Sequence, residues 1–89
     1  MYLGKVIGTV VATSKNESLA GTKLLLVARL TEKLVPDGTT VIAVDSVGAG
    51  NGETVIVSGG SSARQVLGKQ QSVIDAAIVG IVDTVQTVD

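Results

Sequence analysis

The sequence contains no cysteine and no histidine, and these two absences exclude several kinds of chemistry. Disulfides require cysteine, and structural zinc sites are built from cysteine and histidine. Nucleophilic triads require a histidine base. A chain of 89 residues is near the lower limit for a domain that folds alone. We therefore expect one domain, residues 1–89, that gains stability by oligomerisation.

Aromatic residues and charges are also scarce. Tyr2 is the only aromatic residue, charged residues make up 17% of the chain, and the formal net charge is −1. Nucleic-acid-binding surfaces use a basic stripe, and single-strand binders add aromatic stacking platforms, so we expect no nucleic-acid partner. Since no apolar run reaches the ~18–20 residues of a membrane span, we expect no membrane partner either.

Aliphatic residues dominate instead, and their spacing predicts a β protein. Segments rich in β-branched and small residues predict strands at 2–13, 23–31, 40–47, 53–58 and 76–85, with a short helix at 63–67. Polar loops are predicted at 14–22 and 69–72, and Pro36-Asp37-Gly38 predicts a turn. The strand at 23–31 is apolar on both faces, so we expect a neighbouring subunit to cover the second face.

Long strands bent at glycines favour a closed barrel, because closure removes exposed strand edges. Gly4 and Gly8 interrupt the first strand in this way. The predicted fold class is all-β with one short helix, and its nearest general form is a five-stranded OB-like barrel. No parallel βαβ pattern is visible.

Catalytic and metal-binding patterns are weak. Serines stand at 14, 18, 46, 58, 61, 62 and 72, but no spacing favours a serine–lysine pair. The carboxylates of Asp45, Glu53, Asp75 and Asp83 are scattered singly, without the clustering of an acid–base pair or a hard-cation site. We therefore predict that the protein is not an enzyme and has no metal or cofactor.

A glycine-rich loop, Gly48-Ala49-Gly50-Asn51-Gly52, separates the third and fourth strands. Its G-x-G-x-G spacing leads into a strand, whereas the dinucleotide fingerprint is G-x-G-x-x-G and leads into a helix. Glycines let another backbone or a ligand approach closely. A phosphate, a substrate or another copy of the chain could occupy the loop, with Glu53 available to pair across such a contact.

The segment Gly59-Gly60-Ser61-Ser62 precedes the predicted helix and offers a serine N-cap. With Arg64 nearby, it could form an anion site at the helix N-terminus. The alternative is a capped helix whose Arg64 pairs with a carboxylate, within the chain or across an interface.

Several segments together resemble the EutN/CcmL family, the vertex proteins of bacterial microcompartments and carboxysomes. The resemblance covers nearly the whole chain in order and rests on residues 4–13, 19–25, 44–53, 60–64 and 78–83. It implies a five-stranded barrel that assembles as a homopentamer and closes a polyhedral shell at its fivefold vertices. It also implies hexameric shell proteins as partners and a place in the shell within the bacterial cytoplasm.

Small residues beside isolated charges suggest where subunits converge. We expect subunit contacts or the fivefold axis at Gly48, Ala49, Gly50, Asn51, Gly52, Glu53, Ser61, Ser62 and Arg64. The alternative function is a small OB-like module that binds a ligand or nucleic acid.

Overall fold

Five strands close into a barrel in the computed structural model, which describes residues 1–13, 15–66, 68 and 73–88. The elements are β1 Tyr2–Val10, β2 Leu24–Leu30, β3 Pro36–Asp45, β4 Thr54–Gly59, α1 Gly60–Val66 and β5 Ala76–Ile81, with one 3-10 turn at Glu17–Leu19. Around the barrel the strand order is β1-β2-β3-β5-β4. The predicted five-stranded barrel with one short helix is confirmed.

One pair of strands runs parallel, and the sequence did not indicate it. β3 and β5 pair through Val44 with Ala77 and Asp45 with Ile78, whereas the other four pairings are antiparallel. The chain passes through β4 and α1 between these two strands, so no simple βαβ unit marks the pairing. In β1 the register shifts between Val6 and Gly8, and such an irregularity bends a strand as barrel closure requires.

Alternation along the strands produces two apolar clusters, because successive side chains point to opposite faces of a sheet. The inner cluster fills the barrel and contains Val6, Leu25, Val27, Ala43, Ala49, Val55, Val57, Ala76 and Ile78. The outer cluster lies against α1 and contains Leu24, Val44, Ala63, Ile74 and Ala77. Leu24 on the outer face of β2 is therefore buried in the outer cluster, whereas Ile42 on the outer face of β3 stays 52% exposed.

Element boundaries differ from the sequence-based expectations at several points. β1 ends at Val10 instead of 13, β5 ends at Ile81 instead of 85, and α1 begins at Gly60 instead of 63. The expected loop residue 14, helix residue 67 and connector 69–72 lie outside the described residues, as does the candidate serine at 72.

The turn expected at Pro36-Asp37-Gly38 does not connect two strands, because these residues open β3, but Gly38 has the expected positive φ, at +93°. Proline is tolerated at the first position of a strand, and Pro36 pairs there with Leu30 of β2. An ion pair of 3.3 Å between Arg29 Nε and Asp37 Oδ2 crosses from β2 to β3. The chain reverses earlier, where the Leu34 N–H donates to the Thr31 carbonyl at 2.9 Å.

Gly4 of β1 has no room for a side chain, and we expect Gly4→Ala to destabilise the fold. A Cβ at Gly4 would overlap Val27 Cγ1, which is buried in the inner cluster. Overpacking of this kind typically costs about 1–3 kcal/mol. The matched control is Gly8→Ala in the same strand, whose Cβ would stand 3.9 Å from its nearest neighbour, Leu26 Cβ.

Urea unfolding at one fixed protein concentration measures both variants against the parent chain. The free energy of unfolding should fall for Gly4→Ala and change by less than about 1 kcal/mol for Gly8→Ala. Equal effects of the two variants would contradict the packing assigned to Gly4.

Candidate assembly surface

The carboxylate of Asp45 fastens the first half of the glycine-rich loop. Its Oδ1 accepts hydrogen bonds from the backbone N–H groups of Val47 (3.0 Å) and Gly48 (3.2 Å), and its Oδ2 accepts one from Ala49 (3.0 Å). An aspartate that bonds the backbone two residues ahead forms an Asx turn. Asp45 therefore organises the loop, and its position at the end of β3 explains why the chain turns there.

The second half of the loop is fastened by Glu53 and by β1. The Gly50 N–H donates to Glu53 Oε1 at 2.7 Å, and the Gly52 N–H donates to the Val6 carbonyl at 2.8 Å. The Val6 N–H donates in turn to the Glu53 carbonyl at 3.0 Å. The Glu53 carboxylate, which we expected to pair across a contact, thus has a partner within its own loop.

These bonds weaken the phosphate hypothesis for the loop. An anion cradle requires backbone N–H groups that point at the ligand. Here the N–H groups of five loop residues already donate to oxygens of the same chain, namely those of Val47, Gly48, Ala49, Gly50 and Gly52. The carboxylates of Asp45 and Glu53 take the places that phosphate oxygens would need.

Ala49 anchors the loop to the barrel interior. Its side chain is completely buried in the inner cluster, and its carbonyl accepts a hydrogen bond from Lys23 Nζ at 3.1 Å. Gly48 and Gly52 adopt φ of +80° and +85°, where glycine is favoured. A Cβ at either position would meet no described atom within 4 Å other than those of its two chain neighbours, so within one subunit these glycines serve turn conformation and not close packing.

The helical segment is anchored separately. Ala63 is completely buried in the outer cluster, whereas Ser61 and Ser62 are exposed in the first turn of α1. The expected serine N-cap is wrong, because the helix already begins at Gly60. Arg64 Nη1 donates to the Ile74 carbonyl at 3.0 Å, so the expected carboxylate partner is replaced by a backbone oxygen.

The nine residues expected at subunit contacts do not form one site in the structure. The loop packs on the inner cluster through Ala49, and the helix packs on the outer cluster through Ala63. Gly48, Asn51 and Gly52 are exposed. The two segments therefore pack on different clusters of the chain.

Two of the side chains considered for chemistry have structural partners. Ser46 Oγ donates to the Ile78 carbonyl at 2.6 Å, and Lys23 binds the loop as described. In the ranges 1–13, 15–66, 68 and 73–88, no three acidic side chains are grouped closely enough to hold a metal ion. No helix within the part of the chain that the structure describes is long and apolar enough to cross a membrane.

An apolar groove formed by the start of β2, the end of β3 and the segment before β5 was not identified from the sequence. It has a volume of about 310 Å³, and its described lining includes Leu24, Ile42, Val44, Val73 and Ile74 together with the charged residues Lys15 and Asp75. Ile42 is 52% exposed and Val73 is 59% exposed, so the groove opens to the surface. The only sequence feature related to the groove was the apolar pattern on both faces of β2, which indicated apolar surface outside the barrel interior.

Comparisons with known proteins identify relatives along the full chain. The family described as ethanolamine utilisation protein EutN/carboxysome matches residues 1–83. The bacterial microcompartment shell vertex protein GrpN of Rhodospirillum rubrum strain F11 is 80% identical over 89 residues, 100% of both chains. The carboxysome shell vertex protein CcmL of Nostoc sp. PCC 7120 is 48% identical over 90 residues, 100% of this chain and 89% of the relative.

The fold is shared as well. A solved structure of the GrpN pentameric microcompartment shell protein from Rhodospirillum rubrum superposes with a TM-score of 0.90 and 76% identity, and the match covers 100% of each chain. The similarity therefore extends from the sequence motifs to the barrel as a whole.

Removal of the Asp45 carboxylate should loosen the loop and destabilise the fold. In Asp45→Ala the buried Ala49 N–H loses its acceptor, and an unsatisfied buried donor costs about 1–3 kcal/mol. Urea unfolding at fixed protein concentration should show this loss. Asp83→Ala, which removes an exposed carboxylate after β5, is the matched control and should change the free energy of unfolding by less than about 0.5 kcal/mol. An Asp45→Ala variant with the same free energy of unfolding as the parent chain would contradict the role of Asp45 in holding the loop.

Proposed function

The chain belongs to the EutN/CcmL family of microcompartment shell vertex proteins, and we propose that it assembles as a homopentamer at the fivefold vertices of a polyhedral shell. The observation that carries the proposal is its full-length similarity to GrpN, whose solved form is a pentameric shell protein. The chain is a structural protein and not an enzyme. This role replaces the alternative of a small ligand- or nucleic-acid-binding module.

The geometry of a closed shell explains why a pentamer is useful. A flat layer of hexagonal tiles cannot close on itself, and pentagons supply the missing curvature. A ring of five identical subunits uses two different patches on each subunit and closes by a rotation of about 72°. The exposed apolar side chains of this small barrel, among them Ile42 and Val73, supply surface for such contacts.

We infer the remaining context from the same role. A vertex subunit must contact the flat tiles around it, so hexameric shell proteins are its proposed partners. The proposed location is the shell of a compartment in the bacterial cytoplasm. Residues 1–89 are proposed to form one domain, which accords with the match to GrpN over the whole chain.

The loop and the helix remain proposed contact regions, with different roles for their residues. Gly48, Asn51, Gly52, Ser61 and Ser62 are exposed and would meet a neighbour or line the fivefold axis. Ala49, Glu53 and Arg64 would hold these segments in shape from within, through the packing and hydrogen bonds described above, and the half-buried Gly50 would leave room for the neighbour.

Native mass spectrometry of the purified protein at micromolar concentration tests the assembly. The expected species has a mass of about 45 kDa, five chains of 9.0 kDa. A strictly monomeric protein would contradict the vertex role. A hexamer would keep a place in the shell but would remove the fivefold argument.

Gly50→Leu tests the proposed role of the loop in assembly. Gly50 does not have a positive φ, and a Cβ there would stand 3.4 Å from Glu53 Oε1, so one subunit can accept a side chain with a small shift. We expect the variant to fold but to lose the pentamer in native mass spectrometry, because the added bulk enters the subunit contact. Thr87→Leu adds the same side chain to an exposed position after β5 and should remain pentameric. A pentameric Gly50→Leu would remove this loop from the interface.

A further inference from the structure

The turn between β2 and β3 presents two adjacent apolar side chains to solvent. Leu34 is 43% exposed and Val35 is 55% exposed. Both neighbours that precede them along the turn, Glu32 and Lys33, are exposed and carry opposite charges. These four residues, 32–35, are called the turn knob below.

The turn knob has a fixed conformation. The Thr31 N–H donates to the Val35 carbonyl at 2.8 Å, and the Leu34 N–H donates to the Thr31 carbonyl at 2.9 Å. Thr31 Oγ1 accepts from the Lys33 N–H at 3.2 Å. Leu34 has φ of +61° and is the one residue other than glycine with a positive φ in the part of the chain described. Glycine or asparagine is favoured at such a position, so leucine here keeps an apolar side chain where the backbone does not favour one.

The apolar groove has a surface complementary to that of the turn knob. Its floor includes Leu24 and Val44, and Ile42 stands half-exposed in its wall. Among the described residues that line it, the charged ones are Lys15 and Asp75. The groove thus offers apolar surface to Leu34 and Val35 of the turn knob. It also offers a lysine as a partner for Glu32 and an aspartate as a partner for Lys33.

The knob and the groove lie at opposite ends of the β2–β3 hairpin. Leu24 lines the groove, and Leu30 directly precedes the turn, so six residues of extended strand, roughly 20 Å, separate them. A subunit cannot fill its own groove across that distance. Two different, complementary patches at opposite ends of one subunit are what a head-to-tail ring requires.

We propose that the turn knob of one subunit inserts into the apolar groove of the next copy of this chain. Leu34 and Val35 then pack against Ile42 and Val73, Glu32 faces Lys15, and Lys33 faces Asp75. The contact repeats around the ring. This inference rests on the proposed pentamer and identifies which surfaces hold it together.

Aspartate substitutions on each side test the contact. Leu34→Asp and Ile42→Asp place a charge in the proposed interface at side chains that are already 43% and 52% exposed. Each variant alone should give folded subunits by circular dichroism and at least a tenfold loss of pentamer in native mass spectrometry. Val73→Asp, outside the strands, repeats the groove test if Ile42→Asp does not fold. Val88→Asp, at a position that is 98% exposed, is the control and should stay pentameric.

A mixing experiment separates this contact from general destabilisation. The Leu34→Asp subunit keeps an intact groove, and the Ile42→Asp subunit keeps an intact knob. An equimolar mixture should therefore form a heterodimer of about 18 kDa, two chains of 9.0 kDa, and no larger ring. A mixture that stays monomeric would overturn the knob-in-groove pairing.

Charge exchange tests the predicted pairing of residues. Lys15→Glu and Glu32→Lys should each raise the dissociation constant of the subunit contact up to about fivefold, the range expected for an exposed ion pair. In the double variant the dissociation constant should return toward that of the unmodified protein. If it does not, Glu32 and Lys15 do not pair across the contact.

Failures of the two proposals are distinguishable. If the unmodified protein is not pentameric, the proposed function itself fails. If the unmodified protein is pentameric and both Leu34→Asp and Ile42→Asp remain so, the pentamer stands and only this contact is refuted.

Discussion

A barrel of five short strands encloses few side chains, and this limited interior shapes the rest of the molecule. Successive residues of a strand point to opposite faces, so an aliphatic strand places apolar side chains inside and outside the barrel at once. The interior takes Leu25 and Val27 of β2, and the outer cluster buries Leu24 on the opposite face. Ile42 on the outer face of β3 is not buried in this way. Apolar surface that one chain cannot bury is available for contact with another copy, and so a structural role in an assembly agrees with the physics of the fold.

The glycine-rich loop shows how a pattern typical of ligand binding can serve architecture. The loop has as many backbone N–H groups as an anion-binding loop would need. The carboxylates of Asp45 and Glu53, however, already accept hydrogen bonds from them. Ala49 inserts into the barrel core at the same point. A loop fastened on both sides holds its exposed residues, such as Asn51, in one conformation. Preorganisation of this kind lowers the entropic cost of forming a contact.

Much of the fold could be predicted from the sequence, because local signals were strong. The β-branched strands, the helix after Gly59 and the closure into a barrel follow from propensity and from the need to remove strand edges. The parallel pairing of β3 with β5 could not be predicted, since it depends on how distant segments meet in space. The turn was misplaced at Pro36 because proline and glycine dominate turn statistics. The actual turn instead uses Thr31 hydrogen bonds and a leucine with positive φ. The partner of Arg64 was also unpredictable, because a backbone carbonyl leaves no mark in the sequence.

The central claim is that identical subunits join head to tail into a ring of five, and the absence of cysteine makes a direct test possible. A variant with both Leu34→Cys and Ile42→Cys carries one thiol on each proposed patch. After mild oxidation, a mass spectrum under denaturing conditions should show a ladder of covalent species that ends at five chains. Each single-cysteine variant should give no ladder, because a head-to-tail contact never brings the same residue of two subunits together. A ladder that continues beyond five chains, or no ladder from the double variant, would contradict the account.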